Sequence, residues 1–407
     1  MPNSNHQYSI AIFLPSLEKG GAERRMILCA IGLKKRGFQV EVIVLRNHGA
    51  FVQTLLIAGI KIRNIDKKGR FDILGAALRT RKIFKAQNYS AVISCLPSAN
   101  VFSILFKKVN PKAPLIWGLA AADMPMQEYS LWARFGARIQ KRVSSYADKI
   151  IVNSNKGLQV ALGQDYHKPK MVVVHNGIDT KQFFLDRSLG QKWREKFNIL
   201  DEDKIKIAGN NKITTKNKDN VAKKVIGIVA RLDPVKGLET FLDAAELAYE
   251  QDWYFIIFAS GSSKYAQKLR TKIEAHSLFG KRLFLQENVK VDSSVYNTFD
   301  LTTISSISES FPNVMLESMA CGVPVVATDV GDCRKVIQQM GKIVAVKDSA
   351  ALYKAWQTQL NSDFGSIGAE VLREYIQSEF SIQGMICQFE DTLHDVLENS
   401  LEPKNHI

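Results

Sequence analysis

Residues 225–241 read VIGIVARLDPVKGLETF, and this stretch decides how many sheets the chain builds. An apolar run of strand length ends at Arg231, a loop holding Pro234, Lys236 and Gly237 follows, and helical spacing begins after it. Upstream, the runs YSIAIFL, VEVIVL, AVISCL, PLIWGL, KIIVN and MVVVH already alternate with longer amphipathic segments. Downstream, WYFIIFAS, RLFL, LTTISSI, PVVATD and KIVAV repeat the pattern. A restart after a polar break means two successive β/α series. The expected fold is therefore α/β, with two doubly wound, Rossmann-like parallel sheets facing across a cleft.

The break is lysine-rich and polar (AGNNKITTKNKDNVAKK) and has little to bury, so it reads as an exposed insertion. Expected boundaries follow from it. An N-terminal domain covers 1–180, a linker with the insertion 181–224, and a second domain 225–380. A C-terminal helix and tail cover 381–407, where SIQGMICQFEDTLHDVLE has helical spacing.

A chain of 407 residues accommodates two or three domains, and 46% apolar with 23% charged residues is the composition of a globular protein. No apolar run approaches the roughly 18–20 residues that cross a bilayer. The start has no basic segment before its short apolar run, so it reads as a first strand rather than a leader, with the cytoplasm as the expected compartment. Five scattered cysteines without C-x-x-C argue against a disulfide framework or a zinc site. No cluster has metal-ligand spacing, so neither a metal nor another cofactor is expected.

The net charge of +15 is one-sided: residues 1–179 hold 27 Lys and Arg against 10 Asp and Glu, and the remainder is near balance. Such asymmetry suits an anionic lipid surface, nucleic acid or a phosphorylated substrate, or else a merely solubilising surface. Nucleic acid is disfavoured, because no helix-turn-helix, zinc-finger or RNP-like pattern occurs and aromatics do not interleave with the basic residues. Arg134, Arg138, Lys141, Arg142 and Lys149 recur at helical spacing and would form a basic face able to lie on anionic lipid.

Three stretches carry candidate chemistry. In SESFPNVMLES (308–318), Glu309 falls in a strand-to-helix loop and Glu317 lies inside a helix expected from about Phe311 to Ala320, with Pro312 at its first position. The start of that helix would favour a phosphate, with the two carboxylates accepting hydroxyl hydrogen bonds on either side of it. A sugar nucleotide has this layout. Arg231 and Lys236, at the end of the strand that opens the second series, suit a pyrophosphate. Gly20 and Gly21 lie between the first strand and the first helix, where a bare backbone can approach a ligand.

Together these stretches resemble the retaining glycosyltransferases of family 4, which have the GT-B fold, and the likeness covers nearly the whole chain. Its most specific parts are the pair Glu309 and Glu317, the ARLDPVKG loop and the VHNGID segment at 174–179. The resemblance implies a nucleotide-diphosphate sugar as donor, a glycan acceptor that can be lipid-linked, and catalysis involving Glu309, Arg231 and Lys236. Glu309 would lie near the donor sugar and Glu317 would bind the ribose. Gly20 and Gly21 would face the phosphates. Ser310, Phe311, Pro312, Asn313 and Val314 would form the loop whose backbone meets sugar and phosphate. Asn176, Gly177 and Asp179 match the segment leading into the linker. PLIWGLAAADMPMQEYS is similar to a subgroup associated with bacterial surface polysaccharide, with Asp123 a candidate acceptor contact. Two departures stand out: no histidine occurs between 95 and 120, and Leu119 and Ala120 occupy the place of the subgroup's arginine. An epimerase acting on sugar nucleotides, or a sugar-nucleotide-binding protein without catalysis, are the alternatives.

Overall fold

In the computed structural model, the short apolar runs become strands of two parallel sheets; the described residues are 8–401 apart from 19, 120–130, 165, 168–169, 200–222 and 363–364. The chain divides into two units, Met1–Gly177 with Ile382–Ile407, and Ile178–Ser381.

Unit 1 holds strands β1 (Ser9–Leu14), β2 (Gln39–Val44), β3 (Lys61–Asn64), β4 (Ala91–Cys95), β5 (Leu115–Leu119), β6 (Lys149–Val152) and β7 (Met171–Val173), in the order β3-β2-β1-β4-β5-β6-β7. Ile12 of β1 sits between Val42 and Ile93 in parallel register, so the order reverses beside β1. The strands in the middle of the sheet are buried on both faces, which is why their sequences run apolar without alternation. β3 has the sequence KIRN, and its polar edge position explains why no apolar run announces it. The helices used below are α1 (Gly21–Lys35), α3 (Ile73–Ala86), α4 (Pro97–Val109) and α5 (Leu131–Arg142); α2 is Val52–Ile57.

The C-terminal helix Ile382–Leu401 belongs to unit 1. Its Met385, Ile386, Phe389 and Leu393 enter the same core as Met26, Cys29 and Leu33 of α1. The two helices approach closely at Gly32, where a Cβ would stand 2.2 Å from Ile386 Cδ1. Glycine is the residue that lets them meet.

Unit 2 holds β8 (Lys224–Arg231), β9 (Trp253–Ser260), β10 (Leu283–Glu287), β11 (Leu301–Ile304), β12 (Val325–Thr328) and β13 (Lys342–Val344), ordered β10-β9-β8-β11-β12-β13. The order reverses at β8, which pairs with β9 on one side and β11 on the other. Ligands of open α/β sheets bind outside the carboxyl ends of strands at such a point.

One expectation needs revision. Residues 181–199, read as the start of a linker, are folded onto unit 2. Asp186 caps the helix Arg187–Lys196 by accepting from Ser188 N at 3.0 Å. Arg187 donates to Phe299 O at 2.6 Å, and Arg194 pairs with Asp300 at 2.8 Å. Trp193 meets Phe258 edge-on, and Phe197 stacks on Phe284. The aromatic pair four residues apart gives this helix an apolar stripe to bury. The lysine-rich insertion itself lies outside the described residues, except at its end.

Candidate active site

The site in unit 2 is assembled from two β/α loops that touch. After β8 the chain makes a short 3-10 turn, Pro234–Lys236, held by Asp233 accepting from Val235 N at 3.1 Å. Gly237 then takes φ +57°, and a Cβ there would stand 2.3 Å from Ser305 O. Two bonds fasten this turn to the segment after β11: Ile307 N donates to Val235 O at 2.7 Å, and Ser305 Oγ donates to Lys236 O at 3.0 Å. Lys236 is thereby carried to Glu309, and its Nζ donates to Glu309 Oε1. Ser306 Oγ donates to the same oxygen at 2.8 Å. Thr328 Oγ1 donates to Ser306 O at 2.6 Å and so anchors that loop to the end of β12.

Arg231, the last residue of β8, leaves its guanidinium 67% exposed and 3.4 Å from Asp233. An exposed fork beside an ammonium held by Glu309 is a suitable pair for a diphosphate. Arg231, Lys236 and Val314 line one cavity of about 270 Å³ with Val229, Phe258 and Val289. Its lining is largely apolar and includes the two cations, the make-up of a pocket for a flat ring carrying phosphates.

The helix Asn313–Ala320 starts beside this cluster. Pro312 occupies the capping position rather than the first helical one, since its ψ of 114° is extended. The helix therefore begins two residues later than the sequence reading placed it. Phe311 is buried against Phe380, so only its backbone is available to a ligand. Ser310 O is approached closely by Gly331, where a Cβ would stand 2.3 Å away. Glu317 lies in the second turn, 5% exposed, and its Oε2 accepts from the hydroxyl of Tyr296 at 2.6 Å. The sequence reading found both glutamates but not Tyr296, whose hydroxyl orients the second. Its signal, an aromatic in a short polar helix 21 residues upstream, points nowhere by itself.

In unit 1, Gly20 caps α1 in extended conformation and Gly21 is the first helical residue. Neither has positive φ. The Glu23 carboxylate folds over position 20, where a Cβ would stand 2.0 Å from it, so a larger residue there would displace that side chain. Burial raises the pKa of that carboxyl, which sequence reasoning did not single out. Asp123 lies outside the described residues. Lys149, read as part of a basic helical face, is instead the first residue of β6 and pairs with Asp395 at 2.6 Å. The chain leaves unit 1 at Gly177, whose amide donates to Met385 Sδ.

Residues 223–362 match the family profile described as glycosyl transferases group 1, and residues 19–182 match that of glycosyltransferase family 4. The chain belongs to glycosyltransferase family 4. Among curated members, this family 4 chain is 31% identical over 143 residues to the lipopolysaccharide core biosynthesis mannosyltransferase LpsB of Rhizobium meliloti. That alignment takes in 33% of this chain and 40% of that protein, so the chain spans less than half the length of this relative. Solved structures share the fold. HepE of Anabaena in complex with UDP superposes with a TM-score of 0.78 at 19% identity, over 95% of this chain and all of that one. A glycosyltransferase from Rickettsia africae gives 0.77 at 21% identity, over 97% and 99%. The family 4 chain thus has the GT-B fold, with seven strands in one unit and six in the other among the described residues.

Proposed function

We propose that the chain transfers a sugar from a nucleotide-diphosphate sugar to an acceptor hydroxyl, with retention at the anomeric carbon, during assembly of a bacterial surface polysaccharide. The observation that carries this reading is the junction of Lys236, Glu309 and Ser306 at the start of a helix whose second turn holds the buried Glu317. In this reading the cations and helix amides meet the diphosphate, Glu309 serves the sugar on one side of it and Glu317 the ribose on the other. The names of the relatives, a mannosyltransferase of lipopolysaccharide core and a protein holding UDP, support the same class.

In the proposed reaction, the bond from the anomeric carbon to the diphosphate oxygen breaks and its electron pair stays on that oxygen. The acceptor oxygen forms its bond to the same carbon from the same face. The acceptor proton passes to the departing diphosphate oxygen. Arg231 and Lys236, with the helix dipole, stabilise the charge that develops there, which makes a metal unnecessary. Glu309 is oriented by Lys236 and Ser306 towards the sugar, and Glu317 accepts from the ribose hydroxyls. The acceptor in this reading is a glycan, carried on lipid at the inner membrane face.

A thermal-shift screen against UDP, GDP, ADP and CMP tests the donor site, and NMR of the product's anomeric coupling tests the stereochemistry. A nucleotide at ~100 times its Kd adds about 2.7 kcal/mol of stability, a shift that Glu317→Gln should erase. A product of inverted configuration, or an altered sugar nucleotide formed without acceptor, would overturn the proposal.

A further inference from the structure

Helix α3 of unit 1 has apolar residues on two sides. Ala76, Thr80 and Phe84 face the core. On the other side Leu74 is 74% exposed and Leu78 is 60% exposed, while Phe71, just before the helix, is 79% exposed. A helix that only covers a core needs one apolar stripe. The second stripe does not stay apolar. At the following turns it continues as Arg81, Lys82 and Lys85, all exposed, and among the described residues these three make no ion pair.

The surroundings carry the same sign. Residues 61–85 hold nine Lys and Arg and two Asp, and Asp72 is already engaged by Arg79 and the Lys68 amide. Arg70 lies over the Phe71 ring at 5.8 Å. The exposed side of α3 is thus a short aliphatic ridge continued by free cations on long apolar stems. α3 packs on α4 and α4 on α5, so the exposed Arg138 and Arg142 of α5 belong to the same helical layer.

We infer that the exposed face of α3 is the surface by which unit 1 docks on an anionic lipid bilayer. Phe71, Leu74 and Leu78 enter the headgroup boundary, and Arg81, Lys82 and Lys85 meet lipid phosphates while their stems stay in the apolar layer. Charge complementarity selects this occupant. A nucleic acid would leave the leucines facing phosphate, and a protein partner would have to present an acidic patch beside an apolar one. The inference deepens the proposed function by giving the place where a lipid-borne acceptor is met. It rests on that reading only for its purpose, because vesicle binding is measured without donor or acceptor.

The test is co-sedimentation of the full chain with phosphatidylcholine vesicles, with and without one-third phosphatidylglycerol. Wild type should bind only the anionic vesicles. Leu74→Glu with Leu78→Glu, both exposed and so compatible with folding, should abolish binding at every salt concentration. Arg81→Ser, Lys82→Ser and Lys85→Ser together should weaken it about a hundredfold, taking about fivefold per charge. Arg138→Ser with Arg142→Ser should weaken it far less. The nucleotide thermal shift should be the same in all variants, which separates this test from that of the donor site. The inference is overturned if wild type ignores anionic vesicles or if the α3 variants bind as wild type does. It is equally overturned if the leucine changes dissolve a dimer seen by light scattering and leave vesicle binding intact.

Discussion

Tyr296 and Glu317 are 21 residues apart in the chain, yet the Tyr296 hydroxyl donates to Glu317 Oε2 at 2.6 Å inside unit 2. Tyr296 is wholly buried, so its hydroxyl has a fixed aim and fixes that of the carboxylate. Tyr296→Phe should leave the ring packing intact and remove one hydrogen bond to a charged group, costing about 1.5–3 kcal/mol. The expected outcome is a lower melting temperature together with nucleotide binding weakened by about tenfold or more, read by titration calorimetry. Unchanged affinity in a folded Tyr296→Phe variant would show that Glu317 is not held for the ribose.

Lys236 bonds to Glu309. Lys236→Met should lower kcat by about 10²–10³, the loss typical of removing one preorganised group that meets developing negative charge. Lys236→Arg should recover part of it, and a chelator added to wild type should leave the rate unchanged. Steady-state kinetics with the donor found in the nucleotide screen decides. A Lys236→Met enzyme with normal kcat would remove Lys236 from the mechanism.

Arg25 of α1 is 6% exposed, and its Nε has no hydrogen-bond partner among the described residues. Its guanidinium donates to Val174 O and lies 4.8 Å above the Phe389 ring. Burial lowers its pKa to about 10. The sign follows: as pH rises past about 10 the folded chain loses this proton before the unfolded chain does, so the group adds stability with rising pH there and subtracts it at neutral pH. Arg25→Met, similar in volume, should therefore melt at the wild-type temperature or above it near pH 7, since replacing a buried charge by an apolar side chain is often neutral or stabilising by ~1–4 kcal/mol. A clear fall in melting temperature would show that Val174 and Phe389 repay the desolvation in full.

Four of the five thiols, Cys29, Cys95, Cys321 and Cys333, are buried, and Cys387 is exposed. Burial pushes Cys29 and Cys321 up to about 12 and Cys95 up to about 11, far from the thiolate that reacts. Brief alkylation at pH 8 should label Cys387 alone, as read by peptide mass spectrometry, and denaturant should release the other four.

The strands were legible because both sheets bury their central strands on two faces, which leaves an apolar run for each. The ligand-facing loops were legible where chemistry demands uncommon residues, as in Arg231, Lys236 and the two glutamates. Other features depend on partners far away in sequence. β3 is too short and polar to announce itself. The helix Arg187–Lys196 reads as linker because its charges hide the stripe formed by Trp193 and Phe197. Lys149 fits a helical basic pattern by spacing, but β6 claims it. Tyr296 acquires meaning only when β11 and the helix after it fold back beside it.

Unit 2 is an uninterrupted stretch, whereas unit 1 is closed by the helix Ile382–Leu401 from beyond it. On the ribosome, residues 178–381 can complete their own sheet while α1 still waits for the side chains of Met385, Ile386 and Phe389. Until then the flank of α1 at Gly32 is bare apolar surface, open to chaperones and to aggregation. A message cut short at residue 381 would spare the second unit and deprive the first of part of its core. The helix Ile382–Leu401 therefore acts as the release step for a unit whose first strand is made about 370 residues earlier.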